Sequence, residues 1–346
     1  MKKLIFFTLI PALAFLCTLI GCQSPGGSAK DPTGKIVIYT SMYEEAIESI
    51  HKELQGKFPR CTVEFISRGT GIIEGLVNAE EASGKLGCDI LMVAEPSYSL
   101  YLKDKRMLHS YKSGEAANLA FDYDPEGYWY PVRVSIMVMA YNPEKYGLDT
   151  IPRSYQGFAF DNGARGAISM RNPLVSGTTM ATIAALRDKY GYEYYDGLGR
   201  QRVMIDYGSA ETIRRLDNGQ CRVVMILEES ILRKRQNENS KLAVIYPSDG
   251  AVVIPSTIMI INNEWSANRN IPAAETIAEW FLGPEGQDAI VAGWMHSVRA
   301  DFTKKPYDSK PTREIMSNSI PINWEEVYRQ RDEIRNSFED RVYSQR

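Results

Sequence analysis

The residues able to do chemistry in this chain collect in a few short loops. They are Thr40-Ser41-Met42-Tyr43, Ser67-Arg68-Gly69-Thr70-Gly71, Glu95-Pro96-Ser97-Tyr98, the run from Asn172 to Thr179, Tyr207-Gly208-Ser209-Ala210, and Glu228-Glu229-Ser230. Ser41, Gly69-Thr70-Gly71, Ser176-Gly177-Thr178-Thr179 and Gly208-Ser209 all fall just before expected helices. A helix start offers unpaired N–H groups and the positive end of a dipole, which together hold an anion. Glycine lets the backbone come close, and hydroxyls add donors. Arg68 and Arg133 would add charge-assisted bonds. Serine and threonine also cap helices where no ligand binds. What speaks for a shared site is position: each turn follows an expected strand, and open α/β sheets bind ligands beyond the carboxyl ends of their strands. Glu228 and Glu229 are either solvated carboxylates favoured at a helix start or, if turned into a cleft, partners for an ammonium, a hydroxyl or a metal on the ligand. The three histidines, His51, His109 and His296, lie outside these loops. No G-x-S-x-G elbow, H-E-x-x-H pair or P-loop is present. Glu95 and Glu229 could serve an enzyme as acid or base, but their pairing is not visible from sequence. A binding protein, not an enzyme, is the expectation; a purely structural protein would not need the aligned anion loops.

The elements that must position these loops follow from periodicity. Lys35-Ile-Val-Ile-Tyr39 reads as a buried strand, and 43–56 as a helix with Ile47, Ile50 and Leu54 on one face. Strand 62–66, helix 72–82, strand 89–93 and a further helix complete a βαβαβ unit. That unit demands right-handed crossovers and a mainly parallel sheet, with strands buried on both faces. Residues 128–142 form a long strand pattern. A second α/β cycle follows: strand 167–170, helix 179–190, strand 203–207, helix 209–218 and strand 223–227. Another long strand, 251–261, is broken by Pro255, and 272–282 and 284–293 are helical. Residues 324–346 read as one charged amphipathic helix carrying Trp324, Val327 and Tyr328. The expected fold is a two-lobe α/β clamp. Lobe one takes residues 35–130 and 258–295, lobe two takes 140–252, and the stretches 131–142 and 251–261 cross between them. Residues 296–346 form a C-terminal helical segment. Crossings made of β-strand permit hinge bending between rigid lobes.

Composition bounds the rest. A chain of 346 residues with 44% hydrophobic and 24% charged residues is an ordinary globular one, long enough for about two domains. Its formal net charge of −3 gives no footprint for nucleic acid. The only apolar run of near membrane-spanning length is at the start, where Lys2 and Lys3 precede the uncharged stretch 4–20. It leads into Leu19-Ile20-Gly21-Cys22, which resembles the lipobox of bacterial lipoproteins. The resemblance implies removal of residues 1–21 and lipid attachment at Cys22, with residues 22–34 as a flexible tether. Cys61, Cys88 and Cys221 then remain, an odd number without metal-site spacing, and read as buried thiols.

Taken together, Tyr39-Thr-Ser-Met-Tyr43, Ser67-Arg-Gly-Thr-Gly71, Cys88-Asp-Ile-Leu-Met-Val-Ala-Glu-Pro96, Asn172-Pro-Leu-Val-Ser-Gly-Thr178 and Pro284-Glu-Gly-Gln-Asp-Ala289 resemble the ABC-transporter solute-binding proteins of the ferric-iron and phosphonate-binding type. The resemblance spans roughly residues 35–300. It implies the periplasmic-binding-protein type II fold, closure around a small solute, and delivery to an ABC permease in the cytoplasmic membrane. Together with the lipobox this points to a lipid-anchored protein facing the periplasm or the cell exterior; a monomer with no cofactor is the expectation. Ferric-binding members carry an adjacent tyrosine pair after the strand corresponding to 223–227; this chain has Glu228-Glu229-Ser230 there and no tyrosine from 221 to 245. The Ser176-Gly177-Thr178 turn is instead like that of members binding phosphonates or phosphorylated compounds. The expected solute is therefore a small organic anion. Its expected contacts are Ser41, Arg68, Gly69, Thr70, Glu95, Arg133, Ser176, Gly177, Thr178, Thr179, Tyr207, Glu228 and Glu229. The alternative is ferric iron on a carboxylate-rich site, with Tyr43, Glu95 and Glu229 as ligands.

Overall fold

Apolar runs bounded by turn residues become strands, and the amphipathic stretches between them become helices, throughout residues 31–344, which the computed structural model describes. The leader, Cys22 and the tether up to residue 30 lie outside the described residues. The chain begins β1 (Gly34–Thr40), α1 (Glu44–Lys57), β2 (Cys61–Ser67), α2 (Thr70–Glu81), β3 (Ile90–Ala94), α3 (Ser97–Asp104) and β4 (Leu108–His109). The long strand β5 (Tyr130–Tyr141) leads to α4 (Tyr155–Phe160), β6 (Ile168–Arg171), α5 (Gly177–Tyr190), α6 (Glu193–Arg200), β7 (Met204–Asp206) and α7 (Ser209–Asp217). Then come β8 (Val223–Leu227), α8 (Glu228–Glu238), β9 (Ala243–Ile245), the second long strand β10 (Val252–Ile261), α9 (Ile271–Leu282) and α10 (Pro284–Ala292). The chain ends in α11 (Thr312–Met316), α12 (Trp324–Arg329) and α13 (Arg331–Ser344).

The strands run in the order β2-β1-β3-β10-β5-β8-β6-β7, with β4 against β10 and β9 against β5. At one end β2, β1 and β3 are parallel; at the other β8, β6 and β7 are parallel. Between them β5 and β10 run antiparallel to each other and to the trios they join. Each trio is one lobe, and the two long strands cross between lobes. In β1, Ile36 and Ile38 enter one apolar cluster with Ile50 and Phe281, while Val37 and Tyr39 enter another with Val77 and Leu91. This period of two, with both faces covered, is why the strand reads as an unbroken apolar run.

Every residue of β5 is buried. Its even positions Val134, Ile136, Val138 and Ala140 pack into one cluster, and Met137, Met139 and Tyr141 into the opposite one. Arg133 and Ser135 share the odd register, so two polar side chains leave the buried crossing strand on a common face. Pro255 does not break β10. It pairs with Val134, whose backbone N–H and C=O are both bonded to His296 on the other side of β5. Pro255 thus sits at a position that lacks a ladder bond, and the register shifts just beyond it, between Ser256 and Thr257.

The C-terminal segment departs from the expected single helix. Gln330 closes α12, and α13 starts afresh at Arg331. Ile334, Phe338 and Val342 of α13 bury into the cluster of lobe two, with the Phe338 ring edge-on to Tyr195 at 5.5 Å. Three equally spaced apolar positions bury although the helix is charged overall, because tertiary packing needs only one stripe. Helix α6 is amphipathic despite its two glycines and buries Tyr194, Tyr195 and Leu198, whereas α8 has a polar sequence with little periodicity and follows directly from β8. Cys61, Cys88 and Cys221 are buried free thiols.

Candidate functional site

The carboxyl ends of the strands face one another across the line between lobes and enclose a cavity of about 40 Å³. Ser41, Tyr43, Gly69, Thr70 and Ala94 line it from lobe one; Arg171, Ser176, Gly177, Thr178, Leu227 and Glu229 line it from lobe two; Arg133 lines it from crossing strand β5. A single water needs roughly 10–15 Å³ by this kind of measure, so the closed cavity has room for a small polyatomic ion or headgroup.

Two helix starts meet there. In α5 the Ser176 hydroxyl accepts from the Thr179 N–H at 3.3 Å and from the Thr179 hydroxyl at 2.9 Å. Of the four donors orphaned at a helix start, this cap leaves the N–H groups of Gly177 and Thr178 open, beside the Thr178 hydroxyl. In α2 the N-cap is Gly69, which brings no capping side chain. The two turns touch backbone to backbone, with the Gly71 N–H 3.3 Å from the Val175 carbonyl. A Cβ on Gly71 would run into the Leu174 carbonyl and come within 2.9 Å of Val175 Cα, and one on Gly177 would come within 2.9 Å of Thr70. Glycine is required at both places by close approach across the cleft.

Arg133 is only 2% exposed. Its Nη2 donates to Ser41 Oγ at 3.0 Å and its Nη1 to Ser135 Oγ at 3.2 Å. Ser135 Oγ in turn donates to Glu229 Oε1 at 2.7 Å. The Nε of Arg133 and the Nε of Arg171 have no hydrogen-bond partner among the described residues. Burial lowers Arg133 to about 10, partly offset by Glu229 and Tyr43. Burial likewise raises the Glu229 carboxyl to about 7, against the Ser135 hydrogen bond and the Arg133 charge that favour its ionised form. Tyr43 Oη is within 2.5 Å of Ser230 Oγ and 3.2 Å of Ser209 Oγ, bridging the lobes at the cavity wall. The chemistry available is that of anion capture: open N–H groups, hydroxyls and two guanidiniums, with one carboxyl able to accept or donate a proton.

Of the residues expected from sequence, Ser41, Gly69, Thr70, Arg133, Ser176, Gly177, Thr178 and Glu229 come together at this cavity. Others do not. Arg68 is exposed and its Nη1 bonds the neighbouring Ser67 carbonyl at 2.6 Å. Tyr207 is 70% exposed. Thr179 spends its N–H and hydroxyl on the α5 cap. Glu228 turns the other way, where its carboxylate meets His296 Nε2 at 2.7 Å, Ser309 Oγ at 2.7 Å and the Tyr246 hydroxyl. Consecutive residues at a helix start point about a quarter-turn apart, so one of the two glutamates had to leave the cleft. Glu95 is fully buried at φ +69°, accepts the Ser97 N–H at 2.8 Å and lies 2.6 Å from Arg331 Nη1. It is absent from the cavity lining, so the expected iron set Tyr43, Glu95 and Glu229 does not assemble there. Arg171 is the polar residue that sequence reasoning missed. It ends β6, one position before the loop taken from Asn172 onward, and the strand-end rule applied one residue earlier would have found it.

Residues 88–326 match the family model described as bacterial extracellular solute-binding protein. No curated protein sequence matches the chain. Solved structures do. Iron-bound HitA from Pseudomonas aeruginosa is 18% identical, with 90% of this chain and 99% of that one covered and a TM-score of 0.76. The periplasmic binding protein AfuA from Actinobacillus pleuropneumoniae, with exogenous fructose-6-phosphate bound, is 20% identical over 89% and 98% of the two chains, at a TM-score of 0.77. A periplasmic thiamin binding protein is 14% identical over 90% and 96%, at a TM-score of 0.74. At these identities the likeness is one of fold, the two-lobe type II arrangement with crossing strands. Lobes, crossing strands and the family match over residues 88–326 lead to one conclusion: the chain belongs to the bacterial extracellular solute-binding proteins.

Proposed function

We propose that this protein is the lipid-anchored solute-binding component of an ABC importer and captures a small organic anion, a phosphonate or phosphate-bearing compound, between its lobes. Residues 35–130 with 258–295 would move as one body against residues 140–252, with β5 and β10 as the hinge. The observation that carries the reading is the buried guanidinium of Arg133, whose Nε has no hydrogen-bond partner among the described residues, in the same cavity as the open α5 helix start. A buried charge without a counter-charge in contact is costly, and an anion would repay that cost. Ser41, Thr70, Ser176, Gly177, Thr178 and Arg171 complete the cradle. Glu229 would meet the protonated, hydroxyl or cationic end of the solute. The structures of similar fold include one holding a sugar phosphate and one holding iron.

A second reading, ferric iron, draws support from two hard oxygen donors at the cavity, the Tyr43 phenol and the Glu229 carboxyl. Native mass spectrometry of freshly purified protein with metal analysis separates the two, followed by calorimetric titration with inorganic phosphate, methylphosphonate, a hexose phosphate and ferric citrate. Binding of a phosphoryl compound without metal supports the anion reading. Tight iron binding with no response to any of the phosphoryl compounds would replace it.

A further inference from the structure

The C-terminal helix α13 is rooted in lobe two and reaches into lobe one. Its apolar stripe, Ile334, Phe338 and Val342, lies in the lobe-two cluster, and Arg341 Nη1 pairs with Asp196 of α6 at 3.0 Å. At its other end the helix meets acids of lobe one. Arg331 Nη1 lies 2.6 Å from Glu95 Oε1 and 2.8 Å from Ser97 Oγ, and its Nη2 bonds Glu74. Arg335 Nη2 adds a bond to the other Glu74 oxygen at 2.9 Å. The Arg331 guanidinium also lies 5.9 Å from the Tyr98 ring centroid. One helical turn earlier, Tyr328 of α12 bonds Asp104 at the end of α3.

The placement of the two acids gives these contacts consequence. Glu74 is on α2, whose first turn lines the solute cavity, and Glu95 directly follows Ala94, which lines it too. Glu95 is fully buried and Glu74 is 6% exposed. An arginine fork on two buried carboxylates is directional and hard to replace with water while the lobes stay together. This inference rests on the hinge of the proposed function: an opening about β5 and β10 would carry α2 and the Glu95 turn away from lobe two and draw them off α13. We infer that α13 is a clasp between the lobes, in which Arg331, seconded by Arg335, holds the closed form and thereby sets how readily the cleft opens. The clasp touches no solute. It acts as a positioning device: apparent affinity scales with the fraction of molecules in the closed, binding-competent form.

The test compares the wild-type chain with an Arg331→Met/Glu74→Gln/Glu95→Gln variant, which neutralises both buried carboxylates together with the guanidinium between them and leaves only the partly exposed Arg335 without its carboxylate. An Arg331→Lys variant, which keeps the charge but loses the fork, is measured beside it. Small-angle X-ray scattering of solute-free protein reads lobe opening, and this arm holds whichever solute the cleft takes. The clasp predicts a wild-type profile fitted by the closed form, a larger radius of gyration in the triple variant, and an intermediate one in the lysine variant. Where inorganic phosphate is bound, its release should be about tenfold faster in the triple variant, within the range of typical couplings between sites. Superimposable scattering profiles for all three proteins, or a solute-free wild type that is already open, would overturn the clasp.

Discussion

Replacing Glu229 with glutamine should make the protein more stable, and only above a definite pH. The carboxyl is buried and linked to Arg133 through the Ser135 hydroxyl, and burial lifts it from 4.5 to about 7. Between those two values the folded chain keeps a proton that the unfolded chain releases. The native state then binds more protons than the unfolded one, so stability falls as pH rises through this window. Below pH 4.5 both states are protonated and nothing is lost. Above 7 the full penalty applies, and at about 1.4 kcal/mol per tenfold change it comes to roughly 3 kcal/mol. Glutamine has the shape of the protonated acid and still accepts the 2.7 Å bond from Ser135, so it should remove the penalty without leaving a cavity. Urea unfolding of both proteins at pH 4, 6 and 8, with the slope of each transition checked for constancy, measures the difference. The curves should coincide at pH 4 and separate by pH 8 in favour of the glutamine variant. A variant equally or less stable at pH 8 would show that Arg133 and Ser135 compensate the buried charge, and the electrostatic account of the cavity would fail.

Thr178→Ala should weaken binding of a phosphoryl solute by about ten- to a hundredfold in calorimetry, because a hydrogen bond to a charged group is worth roughly 1.5–3 kcal/mol. Gly71→Ala should weaken it comparably, since the added methyl meets the Leu174 carbonyl and overpacking costs about 1–3 kcal/mol; unchanged affinity would mean that the two turns separate in the bound form. Cys22→Ser should abolish lipid labelling and release the protein from membranes in a fractionation assay, and retention of the cleaved mutant would end the lipoprotein reading.

The elements and most of the anion cradle were legible in the residues. Long apolar runs mark the crossing strands to within a residue or two, and the strand-end rule selects Ser41, Thr70 and Ser176-Gly177-Thr178. These features are local: alternation, a glycine before a helix, a hydroxyl at a cap. Arg133 is also named from the sequence; Ser135, two positions on in the same register of this otherwise apolar strand, is not. What only the tertiary structure decided was where each carboxylate points and what meets it from far along the chain. Glu95 and Arg331 are 236 positions apart, and nothing in either neighbourhood announces the pair that takes Glu95 out of the cleft. Glu228 and Glu229 are chemically identical neighbours, yet the turn of α8 sends one to His296 and the other to Ser135. Sequence periodicity specifies which face of an element is apolar; the fate of a polar group at its end depends on the partner that folding brings to it, and that partner is set by packing across lobes.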